Sequence, residues 1–231
     1  MRVWHELTDG DRHGPLPALL LVLTLATGVV DAVSVLALGR VFVANMTGNV
    51  VFVGFALAGV PDFSLAASVV ALLGFLAGAF VGGRLGRRHT HRGRLLRNVA
   101  LVELSLVALT LLLSVWTDLL VVPAALLAVA MGLQNSTARR LAVPDLTTTV
   151  LTTTMSGLAA EIRRQGRVTA ARRALAVFTM FLGALIGAVL VLHVHRAWAL
   201  AVATVLIGLV AAVSTVRSRG SEPWHAVTSS A

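Results

Sequence analysis

Residues 41–60 read VFVANMTGNVVFVGFALAGV and place two asparagines, a threonine and a glycine inside an apolar run. In a water-soluble chain such a cluster would mark a turn, because Asn and Gly tolerate the backbone angles that turns need. The rest of the chain places the cluster in a lipid bilayer. Whether this segment crosses the bilayer or turns back within it decides the topology of the whole chain.

The composition predicts an all-α, polytopic membrane protein. The 231 residues are 57% hydrophobic and only 13% charged, with a mean hydropathy of +0.89. A soluble domain would carry about 25% charged residues. Apolar blocks of roughly 20 residues recur along the chain, which matches a ~30 Å hydrocarbon core at ~1.5 Å per helical residue. The blocks are continuous rather than alternating, so helices are favoured over transmembrane strands.

The charged and reactive residues exclude several classes of protein. The net charge of +9 comes from arginines that cluster between the apolar blocks, which argues against binding of nucleic acid. The absence of cysteine excludes disulfides and thiolate metal sites. No Ser-His-Asp arrangement, phosphate-binding loop or metal-ligand cluster is apparent. We therefore predict a protein that is not an enzyme and has no metal or cofactor.

The chain contains an internal repeat. Three motifs recur in order, at offsets of 109, 109 and 104 residues: Met46-Thr47-Gly48 with Met155-Ser156-Gly157, Leu73-Gly74-x-x-x-Gly78-Ala79 with Leu182-Gly183-x-x-x-Gly187-Ala188, and Gly28-x-x-Asp31 with Gly132-x-x-Asn135. We predict one membrane domain, 1–231, built from two repeats of four segments. The first repeat, about 16–116, comprises 16–38, 41–60, 64–86 and 98–116. The second, about 119–216, comprises 119–140, 146–162, 172–195 and 197–216.

Arginine placement orients these segments, because cytoplasmic loops carry an excess of positive charge. The predicted cytoplasmic parts are the leader 1–15, the basic loop 84–97, the stretch 163–173 and the tail 217–231. This arrangement favours six spans plus two re-entrant or broken segments, 41–60 and 146–162, with the repeats inverted and both termini inside. Of the 19 basic residues, Arg40 and Arg196 would lie outside. A seven-span alternative, in which 41–60 crosses, stays open because that segment is apolar enough.

The string TGVVDAVSVLALGRVFVANMTGNVVFVG at 27–54, with MGLQNSTARRL at 131–141, resembles the YoaK family. The members of this family are bacterial inner-membrane proteins grouped as a domain of unknown function. The resemblance covers nearly the whole chain and implies a multi-pass protein of the bacterial inner (plasma) membrane. It implies no substrate, because the family has no settled biochemical activity. This chain departs from the family at Ser156-Gly157, where a Thr-Gly pair is usual.

Asp31 is the first candidate site residue, because it lies deep in the first apolar segment. A charged side chain there costs about 2.5–3.5 kcal/mol. We predict a proton or cation site, or a substrate contact. The alternative is a structural partner for Arg40 or for backbone groups at a helix end. The repeat places Asn135 at the equivalent position, so a titrating group would exist on one side only.

Further candidates are polar groups of the broken segments and of segment 119–140. Broken helices present freed peptide groups and side chains to ions and polar solutes, although Thr and Asn also join helices by hydrogen bonds. The predicted substrate- or ion-binding residues are Asn45, Thr47, Gly48, Asn49, Gln134, Asn135, Thr148, Thr152, Ser156 and Gly157.

Other residues are interpreted as structural. Glycines at every fourth position predict close helix packing: Gly74, Gly78, Gly82 and Gly86 against Gly183 and Gly187, joining the two halves or two protomers of a homo-oligomer. Glu103 is expected to pair with Arg97 or another arginine. His193 and His195 are expected at the membrane interface.

These features favour a secondary transporter or permease for a small polar solute or ion, with proton coupling through Asp31. A channel with re-entrant segments is one alternative, although the Asn-Pro-Ala pair of aquaporins is absent. A non-transporting assembly or signalling protein is the other, and it has no sizeable soluble domain with which to act.

The six-span prediction can be tested by cysteine accessibility, because the chain has no native cysteine. A single cysteine at position 62 should react with a membrane-impermeant maleimide only from outside the cell. A cysteine at position 168 should react only after permeabilisation. Labelling of position 62 from the cytoplasmic side would refute the topology.

Overall fold

A computed structural model describes residues 13–89, 91–143, 166–219 and Trp224. Within these ranges there are seven helices and no strand, which confirms the all-α prediction. The helices are α1 Leu16–Ala37, α2 Met46–Leu57, α3 Leu65–Arg88, α4 Arg92–Trp116, α5 Val121–Leu141, α6 Gly166–His193 and α7 Arg196–Arg217. All except α2 are long and apolar enough to cross a membrane, which gives six candidate spans. The second predicted broken segment, 146–162, lies outside the described residues.

Helices α1 and α5 are the two central helices. In each, 67% of the most apolar window is buried, against 17–39% in the other four spans. Helix α1 packs against α6 and α7, and α5 packs against α3 and α4. We call these two groups of helices the α1 bundle (α1, α6, α7) and the α5 bundle (α3, α4, α5). The bundles meet mainly where α4 packs against α7, and more sparsely where α1 meets α5.

Glycines allow the closest helix approaches, because they let one backbone touch another. In the α1 bundle, a Cβ atom on Gly28 would clash with the carbonyl oxygen of Met180 and lie 2.7 Å from the amide nitrogen of Ala184. In the α5 bundle, a Cβ atom on Gly132 would clash in the same way with the carbonyl oxygen of Phe75. Each central helix therefore has one glycine that packs directly against the backbone of a neighbouring helix.

The glycine stripes pack, but not against each other as the sequence suggested. Gly74, Gly78, Gly82 and Gly86 face α5, whereas Gly183 and Gly187 face α1. Among the described helices, α3 and α6 make no contact. The physical reason is that each stripe offers a flat backbone surface, and the central helices carry the glycines Gly28 and Gly132 that fit onto it.

One face of the molecule gathers the basic helix ends, and we call it the basic face. The Nε of Arg140 donates to the Gly86 carbonyl over 3.3 Å, and the guanidinium of Arg92 donates to the carbonyl of Leu141. Arg92 also lies 3.3 Å from the Nδ1 of His13, just before α1 begins. The start of α1, the end of α3, the start of α4 and the end of α5 therefore share this face. Its assignment to the cytoplasm stays a prediction of the positive-inside rule.

Helix α2 begins and ends on the opposite side of the molecule. It has 12 residues, about 18 Å, which is short of the ~30 Å hydrocarbon core. Arg40 precedes it and Asp62 follows it, and their side chains lie 3.4 Å apart. The ring of Phe52 stacks on Phe42 at 5.5 Å and packs against Phe63 at 4.9 Å. The chain thus enters and leaves α2 at one face, which favours six spans over seven.

Two glycines of α3 provide a matched test of this packing. A Cβ atom on Gly78 would clash with the carbonyl oxygen of Val129, whereas one on Gly83 would be 3.9 Å from its closest neighbour, the Arg87 side chain. We expect Gly78→Ala to lower the free energy of unfolding by about 1–3 kcal/mol through overpacking. Gly83→Ala should be neutral or stabilising by up to about 1 kcal/mol, because Ala favours helix. Thermal unfolding in detergent measures both, and equal effects would contradict the close packing of α3 on α5.

Candidate functional site

Asp31 lies on α1 and forms hydrogen bonds with the irregular chain that follows the helix. Its side chain is 6% exposed. The Oδ1 atom accepts hydrogen bonds from the backbone N–H groups of Val43, at 3.2 Å, and Ala44, at 3.0 Å. Arg40, the alternative partner considered from the sequence, pairs with Asp62 instead. The carboxylate therefore holds residues 43–44 against the side of the helix.

Asn49, on α2, holds the same irregular chain from its other end. Its side chain is fully buried. Its Oδ1 accepts from the N–H of Phe42 at 2.8 Å, and its Nδ2 donates to the carbonyl of the same residue. One amide side chain thus satisfies both backbone groups of a single residue, Phe42. Asp31 and Asn49 together give partners to three freed N–H groups and one freed carbonyl between α1 and α2.

The remaining members of the 45–49 cluster differ from Asn49 in exposure. Asn45 and Thr47 are exposed at the start of α2. Gly48 is half-buried beneath the ring of Phe42, where a Cβ atom would lie 2.7 Å from the ring. The cluster therefore divides into a buried part that stabilises the turn and an exposed part on the opposite side of the molecule from the basic face.

Helix α5 carries the second group of buried polar residues. The Nε2 of Gln134 donates to the Oγ1 of Thr27 on α1 over 2.8 Å. This hydrogen bond joins the two central helices. The Oε1 of Gln134 and the Oγ1 of Thr137 are buried without a hydrogen-bond partner among the described residues. Asn135 is 7% exposed, and its Oδ1 accepts from the Nε of Arg139 at 3.3 Å.

We call five of the buried polar residues of the two central helices the polar seam. It comprises Thr27 and Asp31 on α1 and Gln134, Asn135 and Thr137 on α5. Thr27 and Thr137 were not predicted from the sequence. Thr27 could have been found, because it lies one helical turn before Asp31 and shares its face. The predicted residues Thr148, Thr152, Ser156 and Gly157 lie outside the described residues.

The predicted pairing of Glu103 with an arginine is wrong among the described residues. It lies near the middle of α4 and is fully buried, and neither carboxyl oxygen has a hydrogen-bond partner in the described part of the chain. Arg97, its expected partner, bonds instead to the side chain of Asn98, at 3.1 and 2.9 Å. The arginine lies on α4 six residues before the glutamate, nearer the basic face.

The fold and the polar seam define a class of protein: a multi-pass α-helical membrane protein with six candidate spans and one shorter apolar helix. Comparison with known proteins gives the family. The chain belongs to the family described as "Protein of unknown function (DUF1275)", whose model matches residues 19–213.

A curated relative is the UPF0700 transmembrane protein YoaK of Bacillus subtilis (strain 168), which is 30% identical over 151 residues. The match covers 62% of this chain and 66% of that protein, so the chain spans just under two thirds of its relative. The family predicted from residues 27–54 and 131–141 is thereby confirmed. No solved structure matches the chain.

The two asparagines of the 45–49 cluster give a matched pair of variants. Asn49→Ala leaves the buried backbone groups of Phe42 without partners, so we expect the free energy of unfolding to fall by about 1–3 kcal/mol. Asn45→Ala removes an exposed side chain and should change it by less than about 0.5 kcal/mol. Thermal unfolding in detergent compares them. A larger effect at Asn45 than at Asn49 would contradict the role given to Asn49.

Proposed function

We propose that this chain is a secondary transporter or permease for a small polar solute. The observation that carries the proposal is the polar seam on the two most buried helices. Polar groups within a bilayer are costly and mark substrate or ion pathways. The Oε1 of Gln134 and the Oγ1 of Thr137 have no hydrogen-bond partner among the described residues, so they can form hydrogen bonds with a solute.

The packing also supports an inverted-repeat plan, which is common among secondary transporters. Two glycine contacts of the α1 bundle match two of the α5 bundle. Gly183 packs on the carbonyl of Leu25, as Gly78 packs on that of Val129. Gly187 packs on the backbone of Val29, as Gly82 packs on that of Leu133. The residues of α1 and α5 in these pairs are 104 apart, and the glycines are 105 apart. The sequence motifs had instead paired Gly183 with Gly74, at an offset of 109, which differs from the contact pairing by four residues, or about one helical turn.

A sequence match at the start of α4 and α7 supports the same offset. His89-Thr90-His91-Arg92 corresponds to His193-Val194-His195-Arg196, 104 residues on. The Nδ1 of His91 accepts from the N–H of Arg94 at 3.2 Å, and the Nδ1 of His195 accepts from the N–H of Ala197 at 3.2 Å. Both histidines therefore cap the helix that follows.

In the proposed cycle the α1 bundle rocks against the α5 bundle. Helices α4 and α7 pack extensively and supply the pivot, with Leu104 against Gly208. Helices α1 and α5 touch more sparsely, so the polar seam between them opens most easily to either side. The Thr27–Gln134 hydrogen bond spans this seam, and a polar solute would replace it.

Proton coupling through Asp31 stays a hypothesis within this proposal. The two N–H donors on Oδ1 give the side chain a structural use that does not require titration. Asp31→Asn separates the two roles, because an amide oxygen still accepts both hydrogen bonds. We expect this variant to fold and to reconstitute. If it also keeps proton-driven accumulation of a solute, Asp31 does not carry the coupling proton.

The proposed function is tested by a flux screen of small polar solutes in proteoliposomes. Saturable uptake that can be driven uphill by an ion gradient is expected. Gln134→Leu should lower that uptake by about tenfold or more, because loss of a buried hydrogen bond costs about 1–3 kcal/mol. Ser105→Ala, on the exposed face of α4, is the matched control and should leave uptake unchanged.

Two results of this screen would overturn the proposal. Absence of flux for every solute would remove the transport function. Flux that neither saturates nor runs uphill would replace the transporter with the alternative, a channel with re-entrant segments.

A further inference from the structure

Glu103 is the one acidic residue of the six candidate spans to which the described residues give no hydrogen-bond partner. Asp31 and Glu103 are the only acids in those spans, and Asp31 holds the backbone of residues 43–44. Glu103 lies eleven residues after Arg92 and thirteen before Trp116, near the middle of the span. Both of its oxygens are buried without a partner among the described residues.

The charged residues on the helices around Glu103 all lie near helix ends. Helix α4 packs against α3, α5 and α7. The charges on those helices are Arg84, Arg87, Arg88, Arg139, Arg140, Arg196 and Arg217. The guanidinium of Arg196 is engaged at the far end with the carbonyl of Thr117 and the carboxylate of Asp118, both at 2.9 Å. Within the middle of these helices, Glu103 therefore has no charged neighbour.

An ionised carboxylate in such surroundings would be strongly unfavourable, and a group in this position neutralises instead. A metal cation would need several oxygen ligands. The described residues contain no group of three or more acidic, histidine or cysteine side chains that could hold one. The ligand that fits a single buried carboxylate without partners is a proton.

Glu103 is adjacent in the chain to a residue of the contact between α4 and α7. The next residue, Leu104, packs against Gly208 on α7, where a Cβ atom would lie 3.7 Å from the leucine. This contact lies within the largest interface between the α1 and α5 bundles. At the offset of 104, the counterpart of Glu103 is Ile207, which is fully buried and cannot bind a proton. The two halves therefore differ at the pivot by one acidic group.

We propose that Glu103 is an intramembrane proton-binding site at the α4–α7 pivot, and that binding and release of this proton bias the two arrangements of the bundles. The proton stabilises the arrangement described, in which the carboxyl is sealed from water. Release requires an arrangement in which water reaches it. This inference rests on the proposed transport function, and it assigns the coupling proton to Glu103 instead of Asp31.

The test is chemical labelling with dicyclohexylcarbodiimide, which reacts with protonated carboxylic acids in apolar surroundings. The full chain is reconstituted in phosphatidylcholine vesicles, treated over a series of pH values and analysed by mass spectrometry of its peptides. We expect the adduct on Glu103 at acidic pH. Its yield should fall by about tenfold for each pH unit above the midpoint, because a single proton is in equilibrium with water. Asp31→Asn should show the same profile, and Glu103→Gln should lose the adduct.

Two outcomes would overturn the inference. A Glu103 adduct whose yield does not change with pH would indicate a permanently neutral structural acid. No adduct on Glu103 at any pH would indicate that the residue is not protonated in the membrane. The wild-type profile decides between these outcomes even if Glu103→Gln fails to fold. Labelling requires no transported solute, so a failed flux screen and a failed labelling experiment are distinguishable.

Discussion

Every peptide group inside a bilayer needs a hydrogen-bond partner that the protein itself supplies, and this requirement governs the segment between α1 and α2. The chain turns through Gly39 and Arg40, with φ of 89° and 54°, and then runs without regular structure to the start of α2. Its freed groups are met from both sides, by Asp31 on the preceding helix and by Asn49 on the following one. The polar cluster in an apolar run is therefore largely explained by the backbone that it serves. Because this break is satisfied, α2 can remain short and the chain can return to the face that it left.

The same requirement explains why the central helices are the polar ones. A helix that faces lipid on one side can place polar groups only on its other side, whereas a helix surrounded by other helices can bond across several interfaces. Helix α5 has the lowest mean hydropathy of the six spans, 1.4, and is among the two most buried. Glycines then let the surrounding helices approach closely enough to enclose it. Burial of α1 and α5, close glycine packing and the polar seam are thus consequences of one arrangement.

Most of the fold could be predicted from the sequence, because apolar length and arginine placement report directly on the membrane. The offset between the two proposed repeats could not be predicted. Glycines that recur every fourth residue match equally well one turn apart, and only the backbone contacts of Gly78 and Gly183 distinguish the two alignments. The residue pattern His-x-His-Arg would have fixed the offset, but histidines at helix starts are weak signals by themselves.

The site was less predictable, because partners depend on geometry that spacing does not give. Arg97 lies close to Glu103 in the chain, yet its side chain bonds to Asn98. Conversely, Gln134 and Thr27 are 107 residues apart and form the hydrogen bond between the central helices. A polar residue type in a membrane span indicates that a partner or a function is needed. It does not indicate which partner the fold brings near.

In the proposed inverted-repeat plan, the two intramembrane acids have different roles. At the common offset, Asp31 corresponds to Asn135 and Glu103 to Ile207, so both acids lie in the first half. Asn can accept hydrogen bonds as Asp does, so the exchange of Asp31 for Asn135 keeps an acceptor and removes a charge. Ile cannot replace any function of a carboxyl, so Glu103 is the residue at which the halves differ in chemistry. In a two-bundle transporter with equivalent halves, inward- and outward-facing states would be close in free energy, and a ligand shifts such an equilibrium only by its differential affinity. A proton bound by one half alone, at the pivot, supplies that difference.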